Sequence, residues 1–215
     1  MYTMARVSRT VVPHLPHHIV QRGNRNQCVF FSDSDRYKYL SLLKKAASEV
    51  EVSFLAWCLM DNHVHLVAIP GRQDSFATCF RKAHSQYSFY VNRQKGWSGH
   101  LWQYRYHSSP LGPYYLYNAV RYTEQNPVRA GIVKKAWDYP WSSAAFHTGN
   151  ERFDPLVSIE SDQFTGIENW VDYLTIEPGA EVLIKLRKAA RKNRPLARQW
   201  YISRMKKIRG ISLEA

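Results

Sequence analysis

The chain has 215 residues, 45% of them hydrophobic and 14% aromatic, enough to bury a sizeable core and to exclude a wholly disordered protein. Thirty Lys and Arg against 17 Asp and Glu leave a formal net charge of +13, the electrostatic footprint of a chain that meets polyanions. The longest apolar run, residues 53–60, falls far short of the roughly 20 residues that span a bilayer, and the first residues lack the apolar stretch of a secretory signal, so a cytosolic protein is expected.

In chain order, HHIVQRG at 17–23 reads as a short strand that ends in a polar loop, 22–27. A helix follows, capped by Ser32 or Ser34, with Asp33 and Asp35 in its first turn and Tyr37, Leu40, Leu43, Ala47 and Val50 at helical spacing. Residues 52–60 read as a buried strand, Asp61 and Asn62 as a turn, and 63–69 as the antiparallel partner. A second helix is expected from 74 to about 93, burying Phe76, Phe80, Ala83, Tyr87 and Val91. GHLWQYRYHS at 99–108 alternates weakly, as a further strand or hairpin arm would. Pro113 suits the first turn of a third helix, which Asn126-Pro127 should end or kink near residue 125. This order predicts an α+β fold, an antiparallel sheet with helices on a ferredoxin-like plan.

Charge divides the chain further. Residues 1–149 carry 18 basic and 8 acidic side chains, residues 151–181 carry 8 acids and only Arg152 as a base, and residues 182–213 carry 11 bases and no acid. The division is into a core domain at 1–149, an acidic connector at 150–181 and a basic, helical C-terminal tail at 182–215. Cys28, Cys58 and Cys79 are odd in number and form no CxxC pair, so buried reduced thiols are expected rather than disulfides or a cysteine zinc site.

The first chemical feature is His63-Val64-His65. Residues two apart on a strand share a face, so both imidazoles point one way while Val64, Leu66 and Ala68 serve the other. Two imidazoles on one face can grip a divalent cation; two packed, hydrogen-bonded histidines are the plain alternative. Tyr122 and Asn126, four apart, share a face of the third helix, while Leu116, Ala119 and Val120 fill a core-facing stripe. Tyr122 could attack an electrophile there, or simply pack as most of the 14 tyrosines must. Arg22, Asn24, Arg25 and Asn26 form a polar loop suited to phosphates and exposed base edges, and Arg81, Lys82, Arg105 and Arg121 add positive charge. Trp102, Tyr104 and Tyr106 alternate with Gln103 and Arg105, so an aromatic on an open face could stack an unpaired base, unless all three are core. In the tail, Lys188, Arg191, Lys192 and Arg194 are candidates for gripping DNA, against a solvated end.

From HHIVQRGNRNQCVFF through CLMDNHVHLVAIP and GHLWQYRYHSSPL to AVRYTEQNPVRAGIV and DYPWSSAAFH, over residues 6–148, the chain resembles the REP-associated tyrosine transposases, relatives of the single-tyrosine HUH transposases of insertion sequences. The resemblance implies an HUH nuclease core in which His63, His65 and Asn126 hold Mg²⁺ or Mn²⁺ and Tyr122 is the nucleophile. It also implies cutting and rejoining of single-stranded DNA at REP-type palindromic hairpins through a 5′-phosphotyrosine, on the bacterial nucleoid; the oligomeric state, monomer or homodimer, stays open, and no membrane partner is expected from the chain's own helices. KNRPLARQWYISR in the tail looks like a divergent form of the family's GRPLG segment, with Asn193 and Ala197 in place of its glycines. A hairpin-binding protein that does not cut is the second reading. A zinc hydrolase built on the two histidines is the third, and it lacks a nearby Glu as general base.

Overall fold

The computed structural model describes residues 9–158, 164–199 and 201–203. Four strands form one antiparallel sheet in the order β2-β3-β1-β4: β1 His17–Arg22, β2 Val52–Met60, β3 His63–Pro70 and β4 His107–Pro110. Helix α1, Asp33–Ser48, joins β1 to β2 across the intervening β3, and α2, Ser75–Lys95, joins β3 to β4 across β1. These two interlocked crossovers are the ferredoxin-like plan expected from the sequence.

Local chemistry explains each piece. Ser32 and Asp35 form a capping box that starts α1, with Ser32 Oγ accepting from the Asp35 amide and the Asp35 carboxylate accepting from the Ser32 amide. Tyr39, Leu40, Leu43, Ala46 and Ala47 of α1, and Phe76, Phe80, Ala83 and Tyr87 of α2, then meet Ile19, Val64, Leu66 and Ala68 of the sheet. The sheet's other face is covered by α3, Pro113–Glu124, through Leu116, Ala119 and Val120, which pack with Leu55, Ala56 and Val67. β2 lies at the sheet edge, yet its edge is closed. Leu59 N–H donates to Trp141 O (2.9 Å), Ser143 N–H to Trp57 O (3.0 Å), and Trp57 Nε1–H to the buried Asp154 carboxylate (2.9 Å). The DYPWSS segment therefore shields what would otherwise be an open pairing edge.

Three expectations need correction. Residues 99–106 are an irregular loop with one isolated bridge, Gly23 to Trp102, and the strand begins only at His107. α3 stops at Glu124 and the chain restarts as a short α4, Asn126–Arg129, so Tyr122 and Asn126 do not share one continuous helix. Cys28 is exposed, whereas Cys58 and Cys79 are buried.

Beyond residue 143 the chain forms α5, Ala144–His147, α6, Trp170–Thr175, and α7, Ala180–Lys192. Tyr173, Leu174 and Leu186 are buried against the α3 core, so α7 is docked on the domain and does not hang free. Arg204, Lys206, Lys207 and Arg209 of the basic tail lie outside the described residues. Among the described residues no helix is long and apolar enough to cross a membrane.

Buried histidines make the fold acid-sensitive. His17 accepts from the Val12 amide through Nε2 (3.1 Å) and bonds Leu15 O through Nδ1 (2.8 Å), and burial pushes its pKa down to about 4. Burial pushes His84, bonded to Tyr39 Oη at 3.1 Å, to about 3. Both stay neutral in the folded chain while the unfolded chain takes up protons below about pH 6.5. Stability is therefore present above that value and is lost as pH falls toward the folded pKa values, by about 2 kcal/mol per histidine at pH 5. Urea denaturation at pH 7 and pH 5 checks this: His17→Gln or His84→Gln should flatten the loss, and identical curves would contradict it.

Candidate active site

The site is built on the α3 face of the sheet. The register pairs Arg22 with His63 and Val20 with His65, which puts His18, Arg22, His63 and His65 on one face. The His63 and His65 rings lie 5.0 Å apart between centroids. The Tyr122 ring, delivered by the last turn of α3, stands edge-on to His65 at 5.4 Å and to His18 at 5.6 Å. His65 and His18 stack nearly parallel, with His65 Nδ1 and His18 Nε2 3.1 Å apart.

Hydrogen bonding leaves these imidazoles able to hold a cation. His63 Nδ1 donates to Asn62 Oδ1 (2.6 Å), which leaves the Nε2 lone pair free. When His65 Nδ1 donates to His18, Nε2 of His65 is free as well. Burial, with the nearby Arg22 charge, pushes His63 down to about 4; burial and then the charges of His63, His18, Arg129 and Arg22 hold His65 well below its ordinary value. Both imidazoles are therefore neutral at pH 7. Among the described residues there is no group of three His, Cys, Asp or Glu side chains able to hold a metal. The third donor expected from the sequence is the Asn126 amide. Its Nδ2 donates to Thr123 O (3.2 Å) and its Oδ1 accepts from Arg129 (2.8 Å), and an amide oxygen keeps a second lone pair.

Arg129 escaped the sequence reading, although it stands in the NPVRAG motif that carried Asn126. Its guanidinium lies 4.2 Å over the Tyr122 ring, donates to Tyr122 O (2.7 Å) and to Asn126 Oδ1, and so ties the two residues that the helix break separates. Glu124 was missed too. It is fully buried, accepts from Ser143 Oγ, and is bonded by His147 Nδ1 (2.6 Å), whose ring stacks on Trp170 at 4.1 Å. This cluster pins the end of α3 to the WSS segment and so fixes where Tyr122 stands. A lone acid in an apolar helix stripe was the signal that could have found it.

The comparisons with known proteins fall on this geometry. The model of the family described as "Transposase IS200 like" matches residues 11–126, which contain β1, the two histidines, Tyr122 and Asn126. The chain belongs to the IS200-like transposase family. A relative in Haemophilus influenzae, provisionally named a REP-associated tyrosine transposase, is 27% identical over 121 residues, 51% of this chain and 68% of that protein. A solved REP-associated tyrosine transposase bound to a REP hairpin shares the fold at a TM-score of 0.55 and 20% identity, over 72% of this chain and 92% of that one.

Around this family core, the structure gathers some of the expected DNA-binding residues and scatters others. Arg22, Arg25 and Asn26 are exposed and Asn24 is half-buried. Arg22 Nη1 donates to Asn26 Oδ1 (3.2 Å) and Asn62 Nδ2 to Asn26 O (3.2 Å), which hangs the loop beside the turn that leads into His63. Exposed Arg105 sits in the adjoining 99–106 loop. Arg81 is on α2, across the sheet from Tyr122, and neighbouring Lys82 pairs with Glu49, so neither is brought to the site. Arg121 is spent on the Tyr173 ring, 4.2 Å away. Lys188, Lys192 and Arg194 are exposed on or just beyond α7; the side chain of Arg191 is not described.

Gly23 explains the loop's shape. A Cβ there would meet Gln27 O at 2.2 Å and Val29 Cγ1 at 2.8 Å, so only glycine lets the chain fold back on itself. Gly23→Ala is expected to cost about 1–3 kcal/mol in urea denaturation, as overpacking does, and to weaken DNA binding with it. A fully stable variant would show that the loop can open without penalty.

Proposed function

We propose that the protein is a metal-dependent single-strand DNA endonuclease and strand transferase acting on REP-type palindromic hairpins. The observation that carries this reading is the Tyr122 ring held edge-on to His65, with His63 beside it and Asn126 linked through Arg129. Tyr122 Oη attacks the scissile phosphorus, the P–O3′ bond breaks, and the proton passes to the departing 3′-OH side. The product is a 5′-phosphotyrosine, which keeps the phosphodiester energy, so an incoming 3′-OH reverses the step and joins strands without ATP. Lewis-acid assistance to a non-bridging phosphate oxygen is the chemistry that Mg²⁺ or Mn²⁺ bound by His63, His65 and Asn126 supplies. Arg129, over the ring face, favours negative charge as it develops on the phenolic oxygen. Arg22, Asn24, Arg25 and Asn26 hold the DNA beside His63, with Arg105 and the exposed bases of α7 adding charge.

The family makes DNA the natural substrate, and the solved relative carries a REP hairpin. Incubation of the protein with a single-stranded hairpin oligonucleotide and Mn²⁺ should give a covalent adduct that survives denaturing electrophoresis. Binding without any adduct, under Mg²⁺ or Mn²⁺, would favour the hairpin-binding reading on the same fold.

A further inference from the structure

We infer that Tyr104 is a stacking platform for an unpaired DNA base next to the candidate active site. The inference rests on the reading of the site as one that takes single-stranded DNA. Of the three alternating aromatics, Trp102 and Tyr106 are buried at 7% and 5% exposure, while Tyr104 is 81% exposed. Phe31 and Trp97, also exposed, already pack on each other at 5.7 Å, with Lys95 over Phe31. Among the described residues, no ring or cation lies against the Tyr104 ring.

Its backbone adds an independent reason. Tyr104 has φ +54°, the left-handed region that bulky side chains rarely adopt and that glycine or asparagine would occupy at less cost. The surroundings hold it there: the buried Gln21 amide donates to Gln103 O (3.3 Å) and Tyr104 O (3.5 Å), and Gln103 N–H donates to Arg22 O (2.8 Å). Arg22 is the register partner of His63. A large aromatic ring is thus held in solvent, on strained backbone, beside the end of β1 that pairs with His63 and anchored through its backbone by Gln21, which points to the α1 and α2 face. Backbone strain is retained where a function needs it. Arg22, Arg25 and Arg105, all exposed on the two loops that meet here, supply the charge that draws a phosphate chain across the ring. An exposed aromatic face on a loop that also carries an exposed cation suits an unpaired base and leaves a paired one, already stacked in its duplex, little to gain.

The test compares a hairpin carrying short unpaired extensions with the same hairpin made blunt, with binding measured at equilibrium in EDTA. Tyr104→Ala and Tyr104→Gly should weaken binding of the extended hairpin about tenfold and leave the blunt one unchanged, and Tyr104→Trp should restore it. Tyr104→Gly should keep the melting temperature, since it relieves the strained φ while removing the ring. A single abasic position in the extension should reproduce the loss in the unaltered protein and erase the difference between it and Tyr104→Ala. Equal binding by all Tyr104 variants, or an equal loss on the blunt hairpin, overturns the stacking site. If a covalent adduct still forms in that case, the proposed reaction stands without it. Tyr104-dependent binding with no adduct overturns the reaction and leaves the stacking site.

Discussion

Tyr122→Phe should form no covalent adduct with hairpin DNA while binding that DNA within a few-fold of the unaltered protein. Only the attacking oxygen is removed, and the remaining ring still meets His65, His18 and the Arg129 guanidinium. Because Tyr122 is only 6% exposed, the phenylalanine ring sits in a site already shaped for it, and the fold should be kept. Loss of a nucleophile is a loss of the chemical step alone, so rate and binding separate cleanly. A retained adduct would move the nucleophile to another tyrosine of α3, Tyr114, Tyr115 or Tyr117. Loss of binding in step with cleavage would make Tyr122 a packing residue.

His63→Ala and His65→Ala should each lower metal-dependent cleavage by about 10²- to 10³-fold, since a Lewis acid at the phosphate supplies several kcal/mol. Raising Mn²⁺ should rescue either variant poorly. The two differ in what else they disturb. The His63 ring is half-buried and, among the described residues, its hydrogen bond is to Asn62, so its loss should leave the melting temperature almost unchanged. His65 is 5% exposed and is the partner of His18 Nε2, so His65→Ala also strands a buried nitrogen and should lower stability. Calorimetric titration with Mn²⁺ should show weakened binding in both, which separates a ligand role from damage to the fold. Normal cleavage by both variants would make the pair packing histidines.

The parts of the fold that were legible in the sequence are those set by local periodicity. β2 and the start of β3 fall where the apolar run, the Asp61-Asn62 turn and the alternation from His63 place them, and Val64, Leu66 and Ala68 do face the α1 and α2 layer. The Ser32 cap fixed the start of α1 in the same way. What the sequence hid was long-range. Closure of the β2 edge by Trp141 and Ser143 joins residues more than 80 positions apart, and nothing local announces it. Weak alternation at 99–106 reflected Trp102 and Tyr106 turning into the core from a loop that meets the end of β1 through one isolated bridge, too short a pairing to set a pleat. At the site, the shared face of His63 and His65 follows from strand geometry. The bridge that Arg129 makes between Tyr122 and Asn126 depends on the kink at Gln125, which the Asn-Pro pair signals without giving its angle.

The central claim is that Tyr122 forms a covalent bond to DNA, and mapping the linked residue tests it most directly. The protein is incubated with the single-stranded hairpin and Mn²⁺, the DNA is trimmed by nuclease, and tryptic peptides are weighed. Cleavage after Arg121 and Arg129 releases YTEQNPVR, in which Tyr122 is the only tyrosine. That peptide should gain the mass of a 5′-linked nucleotide, and the gain should vanish without the divalent cation. A nucleotide found instead on a peptide carrying Tyr114, Tyr115 or Tyr117, or no modified peptide while the DNA is nonetheless cut, would contradict the account.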